Sequence, residues 1–266
     1  MELAICSFAS SSAGNSFLIQ SQSTRILADI GISAKKTEES LAACGLSCVE
    51  LDGIVLTHEH IDHVRGIGTL LAKKPYRGPV FTTRGTCESV AQKYPQTEGK
   101  QFEIVRSGDR FFVGDIEVNV FRISHDAAEP VGYNVFSGEK KITLATDIGH
   151  VTDTIRESIE DSDVLLLEAN HDVEMLKKGG YPWSLKQRIL GENGHLSNHT
   201  AGRLLAEVMT GKMKYVFLGH LSEENNNPHL AYETVEEILR NNRIEVGTHV
   251  KMDMASRFQN GVKVEL

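Results

Sequence analysis

The hexapeptide His58-Glu59-His60-Ile61-Asp62-His63 constrains this chain more than any other feature. It follows Gly53-Ile54-Val55-Leu56-Thr57, an apolar run that reads as a buried strand. In an extended segment, side chains two apart point the same way. His58 and His60 can therefore converge on one point, and Asp62 and His63 can turn toward a second point beside it. Imidazole with carboxylate suits zinc, manganese or iron, and does not suit calcium or magnesium. A lone histidine is usually a surface or satisfied core residue, but a cluster of this density at a strand end marks a metal or catalytic site.

One hexapeptide cannot saturate two ions, so further ligands must lie downstream. Three candidates each follow an apolar, strand-like run. His125 follows Glu117–Ser124, Asp147 follows Lys141–Thr146, and His220 follows Tyr215–Gly219. A rigid sheet offers groups to a site at its edge in this way. The expected metal-binding set is His58, His60, Asp62, His63, His125, Asp147 and His220.

The rest of the chain reads as α/β. Short strands are expected at 3–8, 16–19, 25–28, 80–82, 134–136, 141–145, 164–167, 215–218, 249–254 and 262–264. Three more, at 102–105, 110–113 and 117–123, read as a meander turned at Gly108-Asp109 and Gly114-Asp115. Helices are expected at 64–72, 88–94, 152–159, 171–178, 184–190, 200–210 and 231–241. No Pro/Ser-rich linker interrupts the alternation, and 266 residues fit one domain over 1–266. By pattern alone this is an α/β protein with mixed sheet.

The order of these motifs resembles the metallo-β-lactamase superfamily over essentially the whole chain. Ser124–Pro130, Glu168–Leu176, Gly180–Ser184 and His220–Asn226 resemble, more narrowly, the YycJ family (also called WalJ or VicX), exonuclease-like metallohydrolases encoded beside an essential bacterial two-component system. One departure is Ala9-Ser10-Ser11-Ser12, where that family often has Ala-Ser-Gly-Ser. The resemblance implies a four-layer αββα sandwich with two mixed β-sheets. It places His58, His60 and His125 on one cation and Asp62, His63 and His220 on the other, with Asp147 bridging. Two ions about 3.5–4 Å apart can share a water and lower its pKa toward neutrality. Superfamily members that hydrolyse β-lactams usually carry a thiolate where Asp147 stands, and no cysteine lies near it, so antibiotic hydrolysis is not expected.

The same resemblance implies a 5′-to-3′ exonuclease on double-stranded DNA, with a role in mismatch repair. RNA and a small phosphodiester remain alternative substrates, although no β-CASP-sized insertion is present to cover RNA. His195, in Gly194-His195-Leu196-Ser197-Asn198, resembles the additional histidine motif of related nucleases and is the candidate proton donor to the leaving alkoxide. The bland alternative is a capping loop in which Ser197 or Asn198 starts the next helix. Asp62 is the second catalytic candidate, orienting the hydroxide. Glu168, His171 and Asp126 are candidates to orient ligand imidazoles. Trp183 and Tyr181 read as loop packing, with base stacking the alternative. Two other functions compete: a small-molecule hydrolase (a glyoxalase II-like thioesterase or a cyclic phosphodiesterase), and a metal-stabilised regulator of a two-component system.

Charge and cysteines bound the setting. The formal charge of −8 is unusual for a polyanion-binding protein, which ordinarily relies on Lys and Arg. Two divalent cations would make the local field positive. Lys177, Lys178, Lys186 and Arg188 form a basic approach to His195, read as either a solvated face or a phosphate track. Cys6, Cys44, Cys48 and Cys87 read as reduced thiols of a cytoplasmic protein. No run reaches the roughly 18 apolar residues of a membrane span, and the start of the chain lacks a basic leader region.

Overall fold

Central strands such as β1, β11 and β12 are buried on both faces, which dictates the layering. In a computed structural model, which describes residues 3–99, 101–257 and 260–266, two seven-stranded sheets pack face to face. Both ends of the expected 1–266 unit are described except Met1 and Glu2, which lie outside the described residues with Lys100, Phe258 and Gln259.

The first sheet holds β1 (Ala4–Ala9), β2 (Ser16–Gln20), β3 (Arg25–Ala28), β4 (Gly53–Val55), β5 (Val80–Thr82), β6 (Phe102–Ile104) and β14 (Lys263–Glu265), in the order β14-β1-β2-β3-β4-β5-β6. The second holds β7 (Arg110–Val113), β8 (Ile116–Arg122), β9 (Val131–Ser137), β10 (Lys140–Ala145), β11 (Val164–Glu168), β12 (Tyr215–Gly219) and β13 (Lys251–Met254), in the order β13-β12-β11-β10-β9-β8-β7. Successive side chains point to opposite faces. Val164 and Leu166 therefore enter the core between the sheets, where Ile5, Ile26, Tyr133 and Phe217 also sit. Leu165 and Leu167 face the outer helices instead.

Helices α1 (Ala34–Ala43), α2 (Ile61–Val64), α3 (Ile67–Lys73) and α4 (Arg84–Lys93) belong to the first half. Helices α5 (Asp153–Ile159), α6 (Val173–Lys178), α7 (Trp183–Leu190), α8 (Asn198–Val208) and α9 (Pro228–Asn241) belong to the second. The layers are αββα. Both sheets are mixed: β1-β2-β3 and β7-β8-β9-β10 are antiparallel, whereas β3-β4-β5-β6 and β10-β11-β12-β13 are parallel.

Two expectations are corrected. The strands at 102–105 and 110–113 are not neighbours in a meander, because β6 pairs with β5 in one sheet and β7 with β8 in the other. The chain crosses between sheets at Gly108, a turn that local sequence cannot distinguish from a hairpin. The helix expected at 64–72 is broken at Arg65-Gly66. A Cβ on Gly66 would meet the Ile32 carbonyl oxygen at 2.4 Å, so the close approach of the 29–32 segment requires glycine there.

Parallel pairing fixes where the polar residues go. Leu167 pairs with Ala145, and Glu168 pairs with Gly219. Asp147, Glu168 and His220 therefore emerge at one level, beyond the carboxyl ends of neighbouring strands. That is where open α/β sheets bind ligands. In the first sheet Ala28 pairs with Val55, which brings Asp29 and Thr57-His58 out at the same end.

Candidate metal centre

The hexapeptide is extended only through His60. Its φ of −60° and ψ of 150° make His60 the residue before α2, and Asp62 and His63 lie on that helical turn. One strand-to-helix corner thus aims four side chains, with the chain turning after His60 so that Asp62 and His63 face away from the strand direction. Three site residues hold left-handed backbone: Asp29 (φ 56°), Asp147 (φ 60°) and His220 (φ 56°). That conformation costs a non-glycine residue about 1–2 kcal/mol. Asp and His tolerate it better than most, and such outliers gather at functional sites.

The candidate ligand atoms converge in overlapping groups, each with its atoms within 4.8 Å of one another. One group is His58, His60 and His125; another is Asp62, His63 and His220. Asp147 joins a third group with His58 and His63, and a fourth with Glu168, His195 and His220. The Asp147 carboxylate reaches toward both halves, with Oδ2 at 3.2 Å from His63 Nε2 and Oδ1 at 3.3 Å from His220 Nε2 and 3.7 Å from His125 Nε2. His58 Nε2 and Asp147 Oδ2 are buried with no hydrogen-bond partner. Unpartnered buried polar atoms are costly. Two of them aimed into one cluster of imidazoles and carboxylates fit divalent cations.

Outer groups hold the imidazoles in place. His63 Nδ1 donates to Asp29 Oδ2 (2.8 Å), and the same carboxylate accepts from the Thr57 amide and hydroxyl. His125 Nδ1 donates to the Gly194 carbonyl (3.1 Å). Glu168, fully buried, accepts through Oε1 from His195 Nδ1 (2.7 Å) and His220 Nδ1 (3.0 Å), and through Oε2 from the Ile148 and Leu196 amides. Asn15 Nδ2 lies 3.0 Å from His63 Nε2 and 3.4 Å from Asp62 Oδ2. Such carboxylate and carbonyl partners fix tautomer and ring orientation at metal sites.

With protein groups alone, the site balances its charge with protons. Burial would lower His220, but Asp147 and the bonds to Asp62 and Glu168 outweigh it and raise the imidazole to about 10. Burial likewise opposes protonation of His63, but Asp147, Asp29 and Asp62 hold it well above the ordinary range. His58, buried beside His63, is pushed well below it. Burial would raise Asp147, but His220 and His63 hold it well below the carboxylate range. Glu168 is similarly opposed by burial, yet His195 brings it to about 2.

Every expected site residue falls in or around this centre, which opens into a cavity of about 560 Å³ lined by His60, Asp62, Asp147, His195 and His220. His195 and the cap coexist: Ser197 caps α8 through the Thr200 amide while His195 reaches Glu168. Asp126 lies beside His125, with Oδ1 at 3.5 Å from its Nε2. Other expectations are corrected. Both ring nitrogens of His171 are buried without a partner, so it orients no imidazole, and burial pushes it down to about 4. Lys177 and Lys178 pair with Glu174, and Lys186 donates to the carbonyls of Lys177 and Gly179. Only Arg188 of that basic run lines the cavity, held by Asp126. Trp183 is 65% exposed rather than packed in a loop. Sequence reasoning missed Asp29 and Asn15. An acid directly after an apolar strand was the available signal for Asp29.

A two-sheet αββα sandwich with a histidine and carboxylate centre at its strand ends defines a metallo-β-lactamase-type hydrolase. The chain belongs to the β-lactamase superfamily: residues 24–220 match the family described as "Beta-lactamase superfamily domain". It is 38% identical over 239 residues to the exodeoxyribonuclease YycJ of Bacillus anthracis, covering 90% of each chain. It is also 38% identical over 246 residues to the exodeoxyribonuclease WalJ of Streptococcus pneumoniae, covering 92% of this chain and 91% of the relative. The solved structure of zinc-bound PqqB from Methylobacterium extorquens shares the fold, with a TM-score of 0.72 at 16% identity, covering 99% of this chain and all of that one.

Proposed function

We propose that the protein is a metal-dependent exodeoxyribonuclease, one catalytic unit over residues 1–266, that degrades double-stranded DNA from 5′ to 3′. The observation that carries this reading is Asp147, whose buried carboxylate reaches histidines of both halves, Oδ2 lying 3.2 Å from His63 Nε2 and Oδ1 3.3 Å from His220 Nε2. The exodeoxyribonuclease names of two relatives that share nine-tenths of the chain support the substrate. His58, His60 and His125 would hold one ion of zinc, manganese or iron, Asp62, His63 and His220 a second, with Asp147 between them. Two such cations supply an activated water and neutralise the non-bridging oxygens of a phosphodiester.

The chain's own residues supply the rest. The Asp62 carboxylate is fixed by Asn15 and His220 and can accept the proton of an attacking water. Glu168 Oε1 accepts a hydrogen bond from His195 Nδ1, which leaves Nε2 for the substrate. His195 lines the cavity and is 16% exposed, so it can deliver a proton to the leaving 3′-oxygen. The four cysteines are free, and no helix among the described residues is long and apolar enough to cross a membrane, both in keeping with work on DNA in the cytoplasm. The test is incubation with end-labelled duplex DNA, single-stranded RNA and a thioester, each with Mn²⁺ or Zn²⁺. Mononucleotides released from the 5′ end of the duplex are expected. Faster turnover of the thioester would defeat the reading.

A further inference from the structure

An acidic protein that tracks DNA needs cations near the scissile linkage, and most basic side chains near this site are already engaged. Arg188 forms a two-point ion pair with Asp126, and Lys177, Lys178 and Lys186 are bound as described. Lys93 is different. It lines the cavity from α4, on the side supplied by the first sheet, and makes no ion pair or hydrogen bond among the described residues. Ser89 lines the same wall, four residues earlier on the same helix, and its hydroxyl is also uncommitted. Residues four apart on a helix are neighbours, about 5–6 Å between Cβ atoms. The helix is a fixed platform. Thr86 and Val90 are buried, the Gly85 amide donates to Glu129, and the Thr83 hydroxyl donates to the Glu129 carbonyl. The adjoining Ala128 amide donates to Glu59 inside the hexapeptide, so α4, the His125 loop and the metal corner are tied together. A lysine in a last helical turn gains from the helix dipole by 0.3–1 kcal/mol or so wherever it points. That accounts for the residue type and not for a paired hydroxyl on the wall of the cavity.

We infer that Lys93 and Ser89 form a phosphate subsite, which holds the phosphate next to the scissile one while Arg188, neutralised by Asp126, shapes the opposite rim. The inference deepens the nuclease reading and rests on it for the identity of the anion. The phosphate is either a 5′-terminal monoester or an internal diester, and the two call for different arms.

The experiment measures anisotropy of a fluorescent duplex whose terminal linkages are methylenephosphonates, with 5′-phosphate or 5′-hydroxyl ends, across a salt series on the metal-loaded protein. Cleavage of the natural duplex is followed in parallel. Lys93→Ala should weaken binding about tenfold and reduce the salt slope by about one, since each neutralised phosphate contributes close to 0.9. In cleavage KM should rise about tenfold, with kcat within a factor of about two. Ser89→Ala should act in the same direction, and Lys93→Arg should restore most of the loss. A loss confined to 5′-phosphorylated ends assigns a terminal monoester, and an equal loss on both ends assigns an internal diester. Unchanged binding and slope in Lys93→Ala overturns the subsite while cleavage by wild type leaves the nuclease reading intact. Binding without cleavage by wild type defeats the nuclease reading, and the Lys93 effect still decides the subsite. Failure of wild type to bind duplex overturns both.

Discussion

The two sheets feed one centre by different means. The first contributes four side chains from a single strand-to-helix corner, His58 to His63, backed by Asp29 one strand away. The second contributes His125, Asp147, His195 and His220 from four separate loops; the buried Glu168 carboxylate bonds His195 and His220, and the Gly194 carbonyl holds His125. The first arrangement is local and survives as a pattern in the chain. The second depends on the register of parallel strands, so its weakest points are the residues that join loops.

Asp147 belongs to both arrangements, and removing its charge should have the largest effect. Asp147→Asn is expected to lower activity on the order of 10³-fold, ~4 kcal/mol of barrier, with loss of much bound metal by elemental analysis. Near-normal metal and rate would show that the halves do not share it. Next is His195→Ala, expected to slow cleavage of natural DNA by about 10²-fold with metal retained. A substrate with a nitrophenoxide leaving group, which needs no proton, should recover most of that loss. Loss of metal instead would make His195 a ligand and redraw the second half.

The contrast itself is sharpened by a pair of substitutions. Glu168→Gln should reduce activity by about 10- to 100-fold, because it orients His195 and His220 together. Asp29→Asn should act mainly on metal affinity through His63 alone, by about tenfold. Equal effects on both readouts would mean that the two outer carboxylates are equivalent and that the halves hold the centre in the same way.

The smallest expected effect is the pH dependence of metal uptake. His220 is raised to about 10 and His63 also lies well above its ordinary range. Their protonated forms stabilise the cation-free protein fully below about pH 6.5. That contribution is lost as pH climbs through the folded-state values, about 10 for His220. A cation must displace those protons, so its affinity should rise with pH through the same window. Calorimetry near pH 7 in buffers of different ionisation enthalpy should find about two protons released per loaded site. No release would mean that His63 and His220 are neutral before loading.

Much of the centre was legible in the chain because a ligand directly after an apolar strand is a local signal. The hexapeptide, His125, Asp147 and His220 were all found by that rule, and the strands at 25–28, 80–82 and 110–113 coincide with β3, β5 and β7. The crossing from β6 to β7 was misread because a Gly-Asp turn looks the same whether it closes a hairpin or passes between sheets. The basic run before His195 is a solvated face at Lys177 and Lys178, as one of its two readings had it, but charge alone does not reveal that Lys186 turns inward to two carbonyls.

The candidate ligands were readable from the chain alone as imidazoles and carboxylates at or just after the ends of apolar runs, since strand length and residue spacing are properties of neighbouring residues. It took the packed fold to set Asp29 behind His63, to let Glu168 serve His195 and His220 at once, and to leave Lys93 on the cavity wall with no partner among the described residues. Those facts depend on strand register and helix placement, which the burial of two sheet faces against each other selects, and no short stretch of chain encodes them.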